Sequence, residues 1–106
     1  MSGDTIRLDK WLWHARLAKT RSLAARLCTA GLVEIGGTVV ERSSRLVKPG
    51  EAVTLCHGGW RRRLIVLGIG ARRGPAAEAR LLYDELVPPE RLSAADPDWE
   101  RLIVEE

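Results

Sequence analysis

Apolar residues recur at Leu8, Trp11, Leu12, Ala15 and Ala18, the spacing of one buried helical stripe. The pattern predicts a first helix over 8–18, with Lys10, Trp13, His14 and Leu17 roughly opposite that stripe. A second stripe, Leu23, Ala24, Leu27 and Ala30, follows Thr20, a residue suited to capping a helix N-terminus. Gly31 then supplies the left-handed residue that stops a helix. The link between the two helices is short, so they must fold back on each other.

Beyond Gly31 the period changes. Val33 and Ile35 alternate with Glu34, Gly36-Gly37 turns the chain, and Val39 with Val40 begins a return strand. A polar loop, ERSSRLVKPGE, ends in a Lys48-Pro49-Gly50 turn. Strands are expected at 52–56 and 63–69, joined through His57-Gly58-Gly59-Trp60. Pro75 opens an expected third helix to about Leu86, with Ala79, Leu82, Tyr83 and Leu86 inward and Pro88-Pro89 as its stop. The organisation expected is one domain over 1–87 and an acidic tail over 88–106, whose apolar cluster is Leu92, Trp99, Leu102 and Ile103.

Charge sharpens this picture. The net charge of +3 divides into +9 over residues 1–80 and −6 over residues 81–106. A basic body of this kind suits a polyanion, although charge alone does not separate RNA from DNA-binding. The opening MSGDTIRLDK lacks an apolar signal core, which makes the cytoplasm the expected location, with no membrane partner. Cys28 and Cys56 have neither metal nor redox spacing and read as reduced thiols, Cys28 at the edge of the core. His14 and His57 lie in different elements without a partner motif. No catalytic group, metal site, cofactor or small-molecule substrate is expected.

The remaining signal is basic. Arg16, Lys19, Arg21 and Arg26 gather where the helices meet, beside a helix N-terminus that carries free N–H groups and a partial positive charge. Ser22 adds a hydroxyl there, and a phosphate is the natural ligand. Arg42, Arg45 and Lys48 add cations in the following loop. Trp13 either stacks on a base or packs under the sheet, and packing is the commoner fate.

The pattern RLDKWL…KTRSLA…GLVEIGG…VKPGE resembles the S4 RNA-binding domain. With RRGPAAEARLLYDE near the end, the chain is more similar still to the heat shock protein 15 family, which is built on that domain. The resemblance covers roughly 7–55 for the S4 part and reaches about Glu85. It implies an α+β, S4-type (alpha-L) fold: two antiparallel helices on a small, twisted, mostly antiparallel sheet, with a third C-terminal helix.

The function implied is binding of ribosomal RNA on the large ribosomal subunit, as a ribosome-associated heat shock and stress response protein. Family members recognise a free large subunit that still carries a nascent chain on transfer RNA, which makes peptidyl-tRNA a further partner. A monomer without catalysis is expected. The family's RNA face falls on Arg7, Lys10, Arg16, Lys19, Thr20, Arg21, Ser22 and Arg26, with Arg42, Arg45 and Lys48 in the matching loop. Two departures stand out: the first hairpin turn, often Asn-Gly in the family, is Gly36-Gly37, and the basic C-terminal extension of some relatives has no counterpart among the acidic last 26 residues. A protein-interaction or regulatory module, and an accessory RNA-binding subunit of an RNA-modifying enzyme, are the rival readings.

Overall fold

The first helical stripe is realised as α1 (Leu8–His14), one turn shorter than its periodicity predicts. In the computed structural model, which describes residues 4–92, the helix stops because Arg16 enters the left-handed region at φ 59°. The Arg16 N–H donates to the Trp13 carbonyl at 3.1 Å and the Leu17 N–H to the Leu12 carbonyl at 2.9 Å. These two bonds form a Schellman stop. The second helix, α2 (Arg21–Thr29), ends in the same motif, with Gly31 at φ 77° in the equivalent place. Glycine announces such a stop in a sequence and arginine does not, which is why only the second end was legible.

Leu8, Trp11, Leu12 and Ala15 of the first stripe pack with Leu23, Ala24 and Leu27 of the second in the core. His14 and Leu17, expected on the outer side, are also buried. A later segment of chain covers that flank of α1, so the helix has two buried sides.

The sheet runs β3 (Thr38–Val39), β2 (Val33–Ile35), β5 (Ala52–His57), β6 (Trp60–Val66) and β7 (Tyr83–Glu85), all antiparallel, with β5 and β6 at its centre. β2 (Val33–Ile35) and β3 (Thr38–Val39) are joined by Gly36-Gly37, at φ 60° and 85°. Positive φ at both central residues is the requirement of a tight hairpin whose twist matches its strands. A separate two-stranded ladder pairs β1 (Ile6–Arg7) with β4 (Leu46–Val47), bringing the polar loop back beside the start of α1.

The third helix is much shorter than expected. After Pro75, α3 covers Ala76–Ala79, a 3-10 turn covers Arg80–Leu82, and the chain then becomes β7 (Tyr83–Glu85) on the edge of β6. Tertiary pairing overrides helix propensity here. Arg62 grips Glu85 through two 2.9 Å hydrogen bonds, and the Leu67 N–H donates to the Leu82 carbonyl at 2.8 Å. Leu86, expected inward, is exposed. Pro88-Pro89 precedes a short β8 (Glu90–Arg91) that pairs with Trp60 and Arg61, and Leu92 is buried. Sheet pairing therefore continues past the expected boundary at 87. Trp99, Leu102 and Ile103 lie outside the described residues.

Candidate nucleic-acid interface

The helix junction is built around the start of α2. Thr20 has extended backbone, and its Oγ1 accepts from the Leu23 N–H at 3.0 Å. That bond satisfies one terminal donor, and the Thr20 hydroxyl proton is still available to donate. The Arg21 and Ser22 N–H groups, first in the helix, have no helical acceptor by geometry, and both residues are exposed. The start of α1 differs: its Leu8 and Asp9 N–H groups donate to the Arg45 and Ser43 carbonyls at 2.8 and 3.2 Å. Of the two helix starts, it is the second that presents donors and dipole to an anion.

Asp9 sits beneath this surface at 3% exposure. Arg7 reaches it with two hydrogen bonds, at 3.2 and 3.1 Å, and Arg21 approaches the same carboxylate at 3.7 Å. A buried carboxylate needs such partners, and in turn it holds both guanidinium groups at the junction. Nothing in the charge count reveals this. The one sequence signal was an acidic residue set between Leu8 and Lys10 in the first turn of α1.

On the other side of the junction, the chain leaving β6 runs along α1. Trp11 Nε1 donates to the Gly68 carbonyl at 2.8 Å, and His14 Nδ1 lies 3.1 Å from the Ile69 carbonyl, which requires the proton on Nδ1. Arg73 Nε donates to the Trp13 carbonyl at 3.1 Å, and Arg16 Nε donates to the Gly74 carbonyl at 2.7 Å. The Arg73 guanidinium lies over the Trp13 ring, 5.7 Å from its centre. Trp13 is partly buried, so its fate is a cation–π contact. The sequence gives no sign that the basic loop at 70–74 belongs beside this site, since only folding places it against α1.

Arg26 is exposed one turn along α2, and Lys10 is partly buried on α1. Arg42, Arg45 and Lys48 are exposed in the loop that the β1–β4 ladder holds beside the start of α1. Arg42, Ser44 and Arg45 line an open groove of about 470 Å3. Arg45 also bonds the Leu46 carbonyl and lies 3.7 Å from Glu51, so its charge is partly met within the protein.

Acidic partners are unevenly shared. The Arg61–Arg63 run is matched in place: Arg61 and Arg63 lie 3.7 and 3.3 Å from Glu90, and Arg62 is forked on Glu85. The Arg62 side chain holds the Glu85 carboxyl below its ordinary range. Arg72 pairs with Glu78 at 3.2 Å. Arg16, Arg26, Arg42 and Arg73 have no acidic partner among the described residues. Positive potential is thus concentrated at the junction and its two flanking loops, and the sheet arginines stabilise the fold. Cys28 is wholly buried, and burial first, then the Asp9 charge, pushes its thiol up to about 12. It stays neutral and takes no part in this surface.

Residues 6–53 match the S4 domain. Heat shock protein 15 of Escherichia coli K12 is 44% identical over 80 residues, which cover 76% of this chain and 59% of that protein. The chain thus spans under two thirds of that curated relative. The RQC P-site tRNA stabilizing factor of Bacillus subtilis is 42% identical over 53 residues, half of this chain and 60% of that protein. The solved structure of Vibrio cholerae heat shock protein 15, described as trimeric, superposes with a TM-score of 0.73 at 40% identity, covering 77% of this chain and 82% of that one.

Proposed function

The chain belongs to the heat shock protein 15 family of S4-domain proteins, and from that premise we propose that it binds ribosomal RNA of the large ribosomal subunit. The observation that carries this reading is the junction itself. Arg16, Lys19, Arg21 and Ser22 converge on the exposed start of α2, with Arg7 alongside, Arg26 one turn on and the Arg42–Lys48 loop beyond.

Structured RNA offers this surface a backbone to grip more readily than base edges, because the A-form major groove is too narrow for side chains to read. Phosphates then supply most of the affinity, and the helix end sets the register. With about six phosphates engaged, the slope of log affinity on log salt is roughly −4 to −5. The chain acts by binding, without turnover, in the cytoplasm and as a monomer.

The finer role we assign is rescue of a dissociated large subunit that retains a nascent chain on transfer RNA under heat stress. The name of the Bacillus relative, a P-site tRNA stabilizing factor, supports that direction. Sedimentation of the protein with separated ribosomal particles tests it. Co-migration with large subunits is expected, stronger when peptidyl-tRNA is present. Equal association with small subunits would overturn the assignment, and a mass measurement on the free protein tests the monomer.

A further inference from the structure

The segment 68–74 lies outside residues 6–53, the stretch that matches the S4 domain, yet it is the segment most closely laced to the helix junction. Four hydrogen bonds fasten it along α1 and the turn that follows: Trp11 to Gly68, His14 to Ile69, Arg73 to Trp13 and Arg16 to Gly74. A fifth contact, 3.4 Å from an Arg73 terminal nitrogen to the Lys19 carbonyl, reaches the residue just before the α2 cap. Arg73 therefore bridges the two ends of the α1–α2 connection.

Arg73 is held on three sides, by the Trp13 ring beneath it and by the Trp13 and Lys19 carbonyls. A guanidinium carries five N–H donors, and these two bonds use two of them. The unused donors sit at the terminal nitrogens, with no carboxylate beside them among the described residues. Arg16 is restrained in the same way from the opposite side, through its Nε alone. Both side chains have given up rotamer freedom on folding, so less is lost when an anion arrives. By contrast Arg72, the other arginine of the loop, is exposed and already paired with Glu78.

We propose that the 70–74 loop is a second half of the RNA contact, in which Arg73 binds a backbone phosphate beside Arg16. Trp13 serves as the platform that sets the Arg73 guanidinium, and does not itself stack on a base. This inference rests on the RNA-binding reading above.

The test is a salt series with purified large-subunit ribosomal RNA as probe and the full chain as binder. Arg73→Ala should lose affinity by about tenfold and reduce the magnitude of the salt slope by about one, the signature of one lost phosphate contact. Arg73→Lys keeps the charge without the fork, so it should retain the slope and bind more weakly. Arg80→Ala, an exposed arginine on the 3-10 turn, should retain wild-type affinity within about twofold. In the Arg73→Ala background, adding Trp13→Ala should weaken binding no further.

An Arg73→Ala protein that is folded and binds with wild-type affinity and slope overturns the loop assignment and leaves the functional reading standing. An additional loss from Trp13→Ala in that background overturns the platform role in favour of base stacking. If Arg73→Ala fails to fold, Arg73→Lys decides, since a slope reduced with the charge kept contradicts a phosphate contact. Wild-type protein that ignores ribosomal RNA overturns the functional reading, and this inference with it.

Discussion

Arg16 and Gly74, 58 positions apart, are joined by a 2.7 Å hydrogen bond from the arginine Nε–H to the glycine carbonyl. Gly74 is buried and Arg16 stands in left-handed backbone, so one residue ends α1, anchors a distant loop and faces solvent with its remaining donors. Its part in the proposed RNA contact and its part in stability are consequently not separable. Arg16→Ala should lower stability by about 1–2 kcal/mol, because the buried carbonyl loses its partner, and should also weaken RNA binding. Arg26→Ala, from an exposed site without an acidic partner among the described residues, should weaken binding with stability within about 0.5 kcal/mol of wild type. Denaturant unfolding beside RNA titration of the two variants checks the contrast.

On the proposed RNA-binding reading, Asp9 would compete with RNA for Arg7 and Arg21. The two arginine side chains are 47% and 45% exposed, so solvent screens the pairing and its stabilisation falls well short of a fully buried pair. Asp9→Asn should cost about 1 kcal/mol of stability and raise RNA affinity several-fold at low salt, since both cations lose their internal anion. Opposite signs in the two measurements are the expected outcome. Weaker RNA binding by a folded Asp9→Asn protein would mean that the carboxylate acts chiefly by positioning.

Gly70 is the left-handed residue of the laced segment. It has φ +74°, and a Cβ placed there would lie 3.1 Å from Leu82 Cδ1 and 3.4 Å from His14 Nδ1. Gly70→Ala should therefore destabilise the protein by about 1–2 kcal/mol through backbone strain alone. Hydrogen exchange should locate the effect along α1 and residues 68–74, and an effect confined to the β2–β3 hairpin would contradict the lacing.

Cys28 should give the protein a pH-dependent stability on the alkaline side. Its thiol is raised from 9.0 to about 12 by burial and then by the Asp9 charge. Below the unfolded value both states hold the proton, and the group's contribution to stability is fully present. As pH rises from about 9 toward 12 only the unfolded chain ionises there, and stability falls by about 1.4 kcal/mol per pH unit. Cys28→Ala should flatten that limb in unfolding curves measured at pH 8 to 11. The same burial predicts slow alkylation of Cys28 in the folded protein, becoming fast on unfolding.

Local chemistry alone determined much of this protein. The apolar stripes at Leu8–Ala15 and Leu23–Leu27, the Thr20 cap, the Gly31 stop and the Gly36-Gly37 turn are short-range features, each specified by residues within one or two turns of chain. The crowding of cations near the α2 start was likewise legible, because Arg16, Lys19 and Arg21 are neighbours in sequence.

Tertiary structure decided whatever depends on contacts between distant residues. It ended α1 at an arginine, buried His14 against the Ile69 carbonyl, and turned Tyr83–Glu85 from expected helix into a strand, where pairing with β6 outweighs propensity. It also matched the Arg61–Arg63 run with Glu85 and Glu90, placed Asp9 beneath Arg7 and Arg21, and laid Arg73 across Trp13. Charge is additive along a sequence, but the neutralisation of charge is a matter of a few ångströms in space. Only the fold could show which arginines already have internal partners and which face solvent without one.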